Sequence, residues 1–378
     1  MTLASVSWTQ ARSWRLERHL LDPIGSLGPH DVVRRLCAVQ AQVPSAAELA
    51  IRLRQRTSEP GEVGAALAAG ELVRTWAMRG TLHLLAPEDA GGYLSLLAAG
   101  RTWERPSWIR YFNVRPADWP PLREAVREAL DGRVLTREEL VGTIIARPAF
   151  AHLAQELRSG WGTLFKPLAW QGDLVLGPAQ GNRTTFTSPW TASATWGGVP
   201  PADEAAPVVI AAYLRAYGPA TVEHFAAWLS RGWMGKRMQT RWFGELGDRL
   251  VAVEADGDEA FVLAEDLDEL LATEPTSGLV RLLPAFDQWV LGPGTDDAHV
   301  IPPGRRSAVS RTSGWIAPVV VLEGVVAGTW GLDGDDLRVT WFAEAGRVAT
   351  RALDAEVARL GSILGRELTL SLMEDGRG

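Results

Sequence analysis

The sequence predicts an α+β protein in which a helix-rich unit ending in a strand pair recurs three times before a strand-rich C-terminal region. Three observations carry this expectation. Apolar residues recur at helical spacing in successive short runs. Each set of runs ends in two alternating stretches joined by a tight turn. Beyond residue 276 the helical period gives way to short apolar stretches separated by Gly, Pro and Asp.

The first unit, residues 1–115, has helical periodicity at 8–20, 29–39, 45–55 and 61–69. Strands at Glu71–Trp76 and Thr81–Leu85 follow, with a turn at Arg79-Gly80 and a bridging helix from Pro87. In the second unit, 116–190, a helix at 118–130 precedes one opened by Thr136 as N-cap. Helices near 149–158 and 161–170 then lead into strands Asp173–Gly177 and Arg183–Thr187. The third unit, 200–275, places helices near 203–216, 221–230 and 236–246. Its strands, Arg249–Glu254 and Ala260–Leu263, flank the turn Asp256-Gly257-Asp258. Helices followed by a hairpin, three times over, predict tandem winged helices, each a helix-turn-helix backed by a β-hairpin wing. In 276–378, strand candidates at Val280–Leu283, Trp289–Leu291, Val319–Leu322, Val325–Trp330, Leu337–Phe342 and Leu368–Leu372 surround one helix near 350–364. They predict a small β-barrel-like domain.

At 378 residues the chain is too long for one ordinary core. No apolar run approaches the ~20 residues of a membrane span, and the N-terminus carries no secretory pattern. Cys37 is the single cysteine, so neither an internal disulfide nor a cysteine-based metal site is expected. The six histidines are scattered without metal-ligand spacing. A cytoplasmic monomer without metal, cofactor or membrane partner is therefore expected. The net charge of -7 argues at first against a nucleic-acid partner, but acid concentrates late and residues 1–115 carry an excess of arginine. Lys166 and Lys236 are the only lysines, so nearly all positive charge is guanidinium, suited to bidentate phosphate contacts.

No dinucleotide fingerprint, phosphate-binding loop, nucleophile elbow or HExxH helix is present. Two segments stand out instead. Gln40-Ala41-Gln42 closes the apolar run from Val32, and Pro44 breaks the helix just beyond it. Amides at an element end either cap the backbone or position a water or a base edge without titrating. The second segment, Arg74-Thr75-Trp76-Ala77-Met78-Arg79-Gly80-Thr81-Leu82-His83, forms the first expected wing. Alternation puts Thr81 and His83 on one face, so with Leu82 in the core His83 faces outward beside Arg79. Arg79, Thr81 and His83 are thus candidate nucleic-acid contacts. Arg305, Arg306 and Arg311, in a Gly/Pro/Ser-rich loop, and Lys236 and Arg237, on a helix of the third unit, are further phosphate-contact candidates. Asp287 either orients a site group or caps a turn.

These segments, followed by Leu282-Leu283-Pro284-Ala285-Phe286-Asp287 and by Gly324 through Gly328-Thr329-Trp330, occur in that order. In this the chain resembles, essentially end to end, the bacterial winged-helix DNA glycosylases typified by the azinomycin-resistance enzyme AlkZ. The resemblance implies three tandem winged helices plus a C-terminal β-barrel, and excision of N7-alkylated purines from double-stranded DNA. The AlkZ branch acts on interstrand crosslinks, in base excision repair or in self-resistance to an alkylating natural product. The family's Gln-apolar-Gln catalytic motif falls on Gln40, Ala41 and Gln42. A related branch has an acid at the second position; Gln42 favours the branch acting on bulky or crosslinked adducts. Localisation would be cytoplasmic, at the nucleoid when DNA is bound. The competing expectation is a non-catalytic winged-helix DNA-binding protein, a regulator or a drug-sequestering resistance protein.

The absence of a titrating acid fits this chemistry. Alkylation at N7 makes guanine cationic, so it departs neutral and needs no protonation. What remains is to align a water and stabilise an oxocarbenium-like sugar, which oriented amide carbonyls can do. Poorer leaving groups normally call for paired carboxylates. With no lysine in these segments, a monofunctional enzyme without a Schiff-base step is expected.

Overall fold

Helices and antiparallel strand pairs alternate along the chain, as periodicity predicts. The structure is a computed structural model that describes residues 3–160 and 162–375. Trp161, at the start of one expected helix, lies outside the described residues. By its internal contacts the chain divides into two units. One comprises Met1–Glu62, Ile210–Trp228 and Phe243–Gly378; the other comprises Val63–Val209 and Leu229–Trp242.

In the first unit, strand Ala4–Val6 pairs in parallel with Leu250–Ala255, which pairs antiparallel with Asp258–Leu263. Helix Trp8–Arg18 buries Trp8, Ala11 and Trp14 against Val253, Ala260 and Val262 of that sheet. A second sheet joins Val280–Leu283, Val319–Leu322, Val325–Asp333, Asp336–Phe342 and Thr369–Asp375 in sequence order. Its last two strands are parallel, which requires a crossover, and helix Thr350–Leu364 supplies it. Gly365 ends that helix in a left-handed conformation (φ 70°), where a Cβ would be strained. Among the described residues the two outer strands do not pair with each other, so the sheet is open and no barrel closes. The expected strand at Trp289–Leu291 is instead a helical turn, Gln288–Leu291. Asp287 accepts the Trp289 N–H at 2.8 Å and caps it, a local bond that outcompetes the strand tendency of a short apolar run.

In the second unit, hairpin Val73–Trp76 with Leu82–Leu85 joins the strand pair Val175–Leu176 and Thr185–Thr187 through Arg74 opposite Leu176. Val134–Thr136 completes the run beyond Thr187. The first two expected wings therefore share one antiparallel ladder. Thr136 is an N-cap as expected: Glu139 returns a carboxylate to the Thr136 N–H at 2.8 Å, completing a capping box.

Candidate functional site

The helix preceding the glutamine pair is shorter than its periodicity suggests. It spans Pro29–Arg35, and Cys37 adopts a left-handed conformation (φ 62°) that turns the chain. Val39–Gln40 is then extended, and a new helix, Pro44–Arg52, starts with proline at its first position, where no N–H is needed. Gln40 and Gln42 thus lie on a short link between two helices rather than on a helix end. Gln40 is 5% exposed, whereas Gln42 is exposed to solvent.

The link is anchored at both ends. Upstream, the buried Tyr217 hydroxyl donates to the Leu36 carbonyl at 2.7 Å. Downstream, Val43 and Ala46 pack on the core containing Leu283, Phe286 and Trp289. Beneath that helix, Arg54 grips Asp287 bidentately at 2.7 and 2.8 Å, with both side chains fully buried. Of the two roles expected for Asp287, the structure shows the turn cap, and the same carboxylate holds Arg54, whose guanidinium also donates to the Ala50 carbonyl in the last turn of the Pro44 helix. Phe286 beside it has φ 61°, a sparsely populated conformation for an aromatic residue.

The first hairpin differs from expectation at two positions: Leu82, expected in the core, is only half-buried, and His83 is reversed as well. His83 is fully buried, not outward-facing, because the face it shares with Val73, Thr75 and Leu85 is closed by packing. Its Nδ1 lies 3.0 Å from the Thr81 carbonyl, which makes Nδ1 the protonated nitrogen of a neutral ring. Burial, reinforced by the Arg79 charge, lowers its pKa to about 3. Among the described residues, its Nε2 and the hydroxyl of Thr75, directly opposite, are buried with no hydrogen-bond partner. Thr81 is half-buried and donates to the Met78 carbonyl at 3.2 Å. Arg79 is half-buried at the turn, with φ 58°.

The remaining basic candidates divide by partner. Arg305 is held by Glu344 and Asp375, with its guanidinium over Phe342, and its pKa is raised by these carboxylates. Arg306 pairs with Asp296 at 2.5 Å on the surface. Arg311 is exposed and donates to the Ala308 carbonyl at 3.2 Å. Lys236 and Arg237, at the start of helix Lys236–Gly244, are both exposed. No cluster of three or more potential metal ligands occurs among the described residues. No helix among them is long and apolar enough to cross a membrane.

A family model described as DNA glycosylase AlkZ-like matches residues 33–363, spanning both glutamines, the first hairpin and the Asp287 segment. The chain belongs to the AlkZ-like DNA glycosylase family. An AlkZ-like relative from Streptomyces sahachiroi, named interstrand DNA cross-link repair glycosylase, is 49% identical over 360 residues, covering 95% of this chain and 97% of that protein. The solved structure of Streptomyces sahachiroi DNA glycosylase AlkZ superposes with a TM-score of 0.95 at 47% identity, covering 98% of this chain and all of that one. As a DNA glycosylase, this AlkZ-like chain is a hydrolase acting on N-glycosyl bonds. Sequence reasoning missed two of the residues that brace its glutamine link, Arg54 and Tyr217. Each stands in an ordinary helical pattern, and each partner is remote in sequence, so no local signal marks them.

Proposed function

We propose that the chain hydrolyses the N-glycosidic bond of N7-alkylated purines in DNA, bulky adducts and interstrand crosslinks included, with Gln40 and Gln42 as its catalytic residues. The observation carrying this reading is the asymmetry of the pair: one amide buried, the other exposed, two residues apart on a braced link. A buried amide is held in one orientation by its surroundings, and an exposed one can be reached by a DNA strand. Gln42 then aligns the attacking water and faces C1′, while Gln40 fixes the orientation of the link. The C1′–N9 bond breaks heterolytically, its electron pair neutralises the cationic base, water adds to the sugar, and a proton is released to solvent. The cross-link repair name of the Streptomyces sahachiroi relative supports the bulky-lesion branch.

We read the three segments ending in strand pairs as winged helices, and Arg79, Thr81, Arg311, Lys236 and Arg237 as side chains that contact the duplex. The decisive experiment incubates duplexes carrying N7-methylguanine or an N7–N7 crosslink with wild type and with the Gln40→Ala, Gln42→Ala double variant, then cleaves abasic sites with alkali. Strand breaks should form with wild type. The double variant should lose at least on the order of 10²-fold in rate, the scale of removing one oriented dipole from a preorganised site, while keeping its affinity for DNA. Undiminished base release by that variant would refute the assignment.

A further inference from the structure

Helix Pro106–Phe112 buries none of its residues, although Trp108, Ile109, Tyr111 and Phe112 are all large and mostly apolar. Trp108, Tyr111 and Phe112, at positions i, i+3 and i+4, share one face. The Phe112 ring lies 4.5 Å from Trp108 and 4.7 Å from Tyr111, edge-on to the latter. Tyr111 is 74% exposed. Both ends of the helix are pinned. Trp103, just before it, is buried with its ring 5.9 and 6.4 Å from Trp119 and Trp170. Pro106 opens the helix where no N–H is needed. Asn113 closes it in a left-handed conformation (φ 52°), its N–H on the Ile109 carbonyl at 2.8 Å. Val114 then returns to the core, and His152 Nε2 lies 3.1 Å from the Asn113 carbonyl. A fold that fixes a cluster of aromatic rings in water leaves apolar surface for a partner to cover.

The surrounding charge selects the partner. Residues 105–115 hold three arginines and no carboxylate. Asp118 pairs with Arg115 at 3.1 Å, so the positive excess falls on Arg105 and Arg110, both exposed. Arg105 is steadied by the Trp233 carbonyl, 3.1 Å from its Nη2. Aromatic rings set in local positive charge suit a polyanion with flat apolar faces, which is a nucleic-acid strand. Exposure alone does not mark such a surface. Trp190, the next aromatic by exposure at 66%, lies in Ser188-Pro189-Trp190-Thr191-Ala192, which carries no charge.

We propose that helix Pro106–Phe112 is a stacking wedge: Tyr111 inserts beside a base at a step loosened by damage, and Arg105 and Arg110 contact the flanking phosphates. An aromatic ring stacks on any base, because every base has a π-face. Opening a base step costs stacking energy, and costs least where the base is already damaged or unpaired. The wedge therefore favours lesions over intact duplex without reading sequence. This inference rests on the DNA reading above and adds a lesion-recognition surface to it.

The test titrates the full chain, by anisotropy over a NaCl series, against a fluorescent duplex holding a tetrahydrofuran abasic-site analogue and against the intact duplex. Tyr111→Ala should weaken binding about ten-fold at the abasic site, as expected for one lost base–aromatic stack, and by less on the intact duplex. Its thermal midpoint should change little, because the ring is exposed. Tyr111→Phe, which keeps the ring, should bind as wild type does. Tyr111→Ala should leave the log–log salt slope unchanged, whereas Arg110→Gln should make it shallower by about 1. Equal affinity of Tyr111→Ala and wild type for both duplexes would overturn the wedge. Loss of self-association in that variant, read by sedimentation with duplex affinity unchanged, would assign the patch to a second copy of the chain and also overturn it. Wild type that binds with this Tyr111 dependence but releases no base would remove the proposed excision and leave the wedge standing. Failure of wild type to bind any duplex would remove both.

Discussion

Arg54 and Asp287 are 233 residues apart in sequence, yet they meet as a bidentate ion pair with both side chains fully buried. A buried pair of this kind is costly to break, because the surviving charge is left without solvent. Arg54→Met or Asp287→Ala should therefore lower stability by about 3–5 kcal/mol in urea denaturation. Excision should suffer as well, since the pair sits under the helix that follows Gln42. His83 gives a different signature. Its unfolded imidazole protonates near 6.5, and the folded one only at about 3. Between these values the unfolded state binds more protons, so stability falls as pH falls, by about 1.4 kcal/mol per unit. The effect is nil above pH 6.5 and complete below 3. His19 is also buried and neutral and adds a slope of the same sign. Replacing His83 by Asn should consequently flatten the acid limb of a stability–pH curve without abolishing it.

At the scale of elements, the glutamine link depends on a close approach elsewhere in the fold. Tyr217 reaches Leu36 by passing over Gly292, where an added Cβ would lie 1.8 Å from the Tyr217 ring. Gly292→Ala should displace Tyr217, cost about 1–3 kcal/mol as over-packing does, and reduce excision while duplex binding persists. A paired thermal-melt and excision assay would detect both effects. The Thr136 capping box is an independent control far from the glutamines in sequence. Thr136→Ala should cost about 1 kcal/mol in the same melt and leave excision unchanged.

For the whole molecule, the chain passes between its two units four times, so neither unit is a contiguous segment. Leu16, Leu21 and Leu53 belong to the same cores as the C-terminal sheet. A fragment of residues 276–378, an independent domain by its strand pattern, lacks those side chains and the partner of Asp287. Its far-ultraviolet circular dichroism and amide spectrum should be those of an unfolded chain, whereas full-length protein melts cooperatively. A folded fragment would show that the sheet's own residues suffice as a core.

The sequence alone determined what depends on neighbours along the chain. Helix 350–364, the hairpins around Gly80 and Gly257, and the Thr136 cap follow from period, turn chemistry and capping, all effects within a few residues. It also marked Gln40 and Gln42, because paired amides in an apolar run are chemically out of place. Tertiary structure decided what covers each face. Alternation put His83 and Thr81 together, but only packing says that this face is closed. The run Trp289–Leu291 is too short for its period to separate strand from helix, and the Asp287 cap selected the helix. The shared ladder of the first two hairpins, the open C-terminal sheet and the Arg54–Asp287 encounter join residues remote in sequence. Such pairings are set by the summed burial of the whole chain, and no local pattern encodes them.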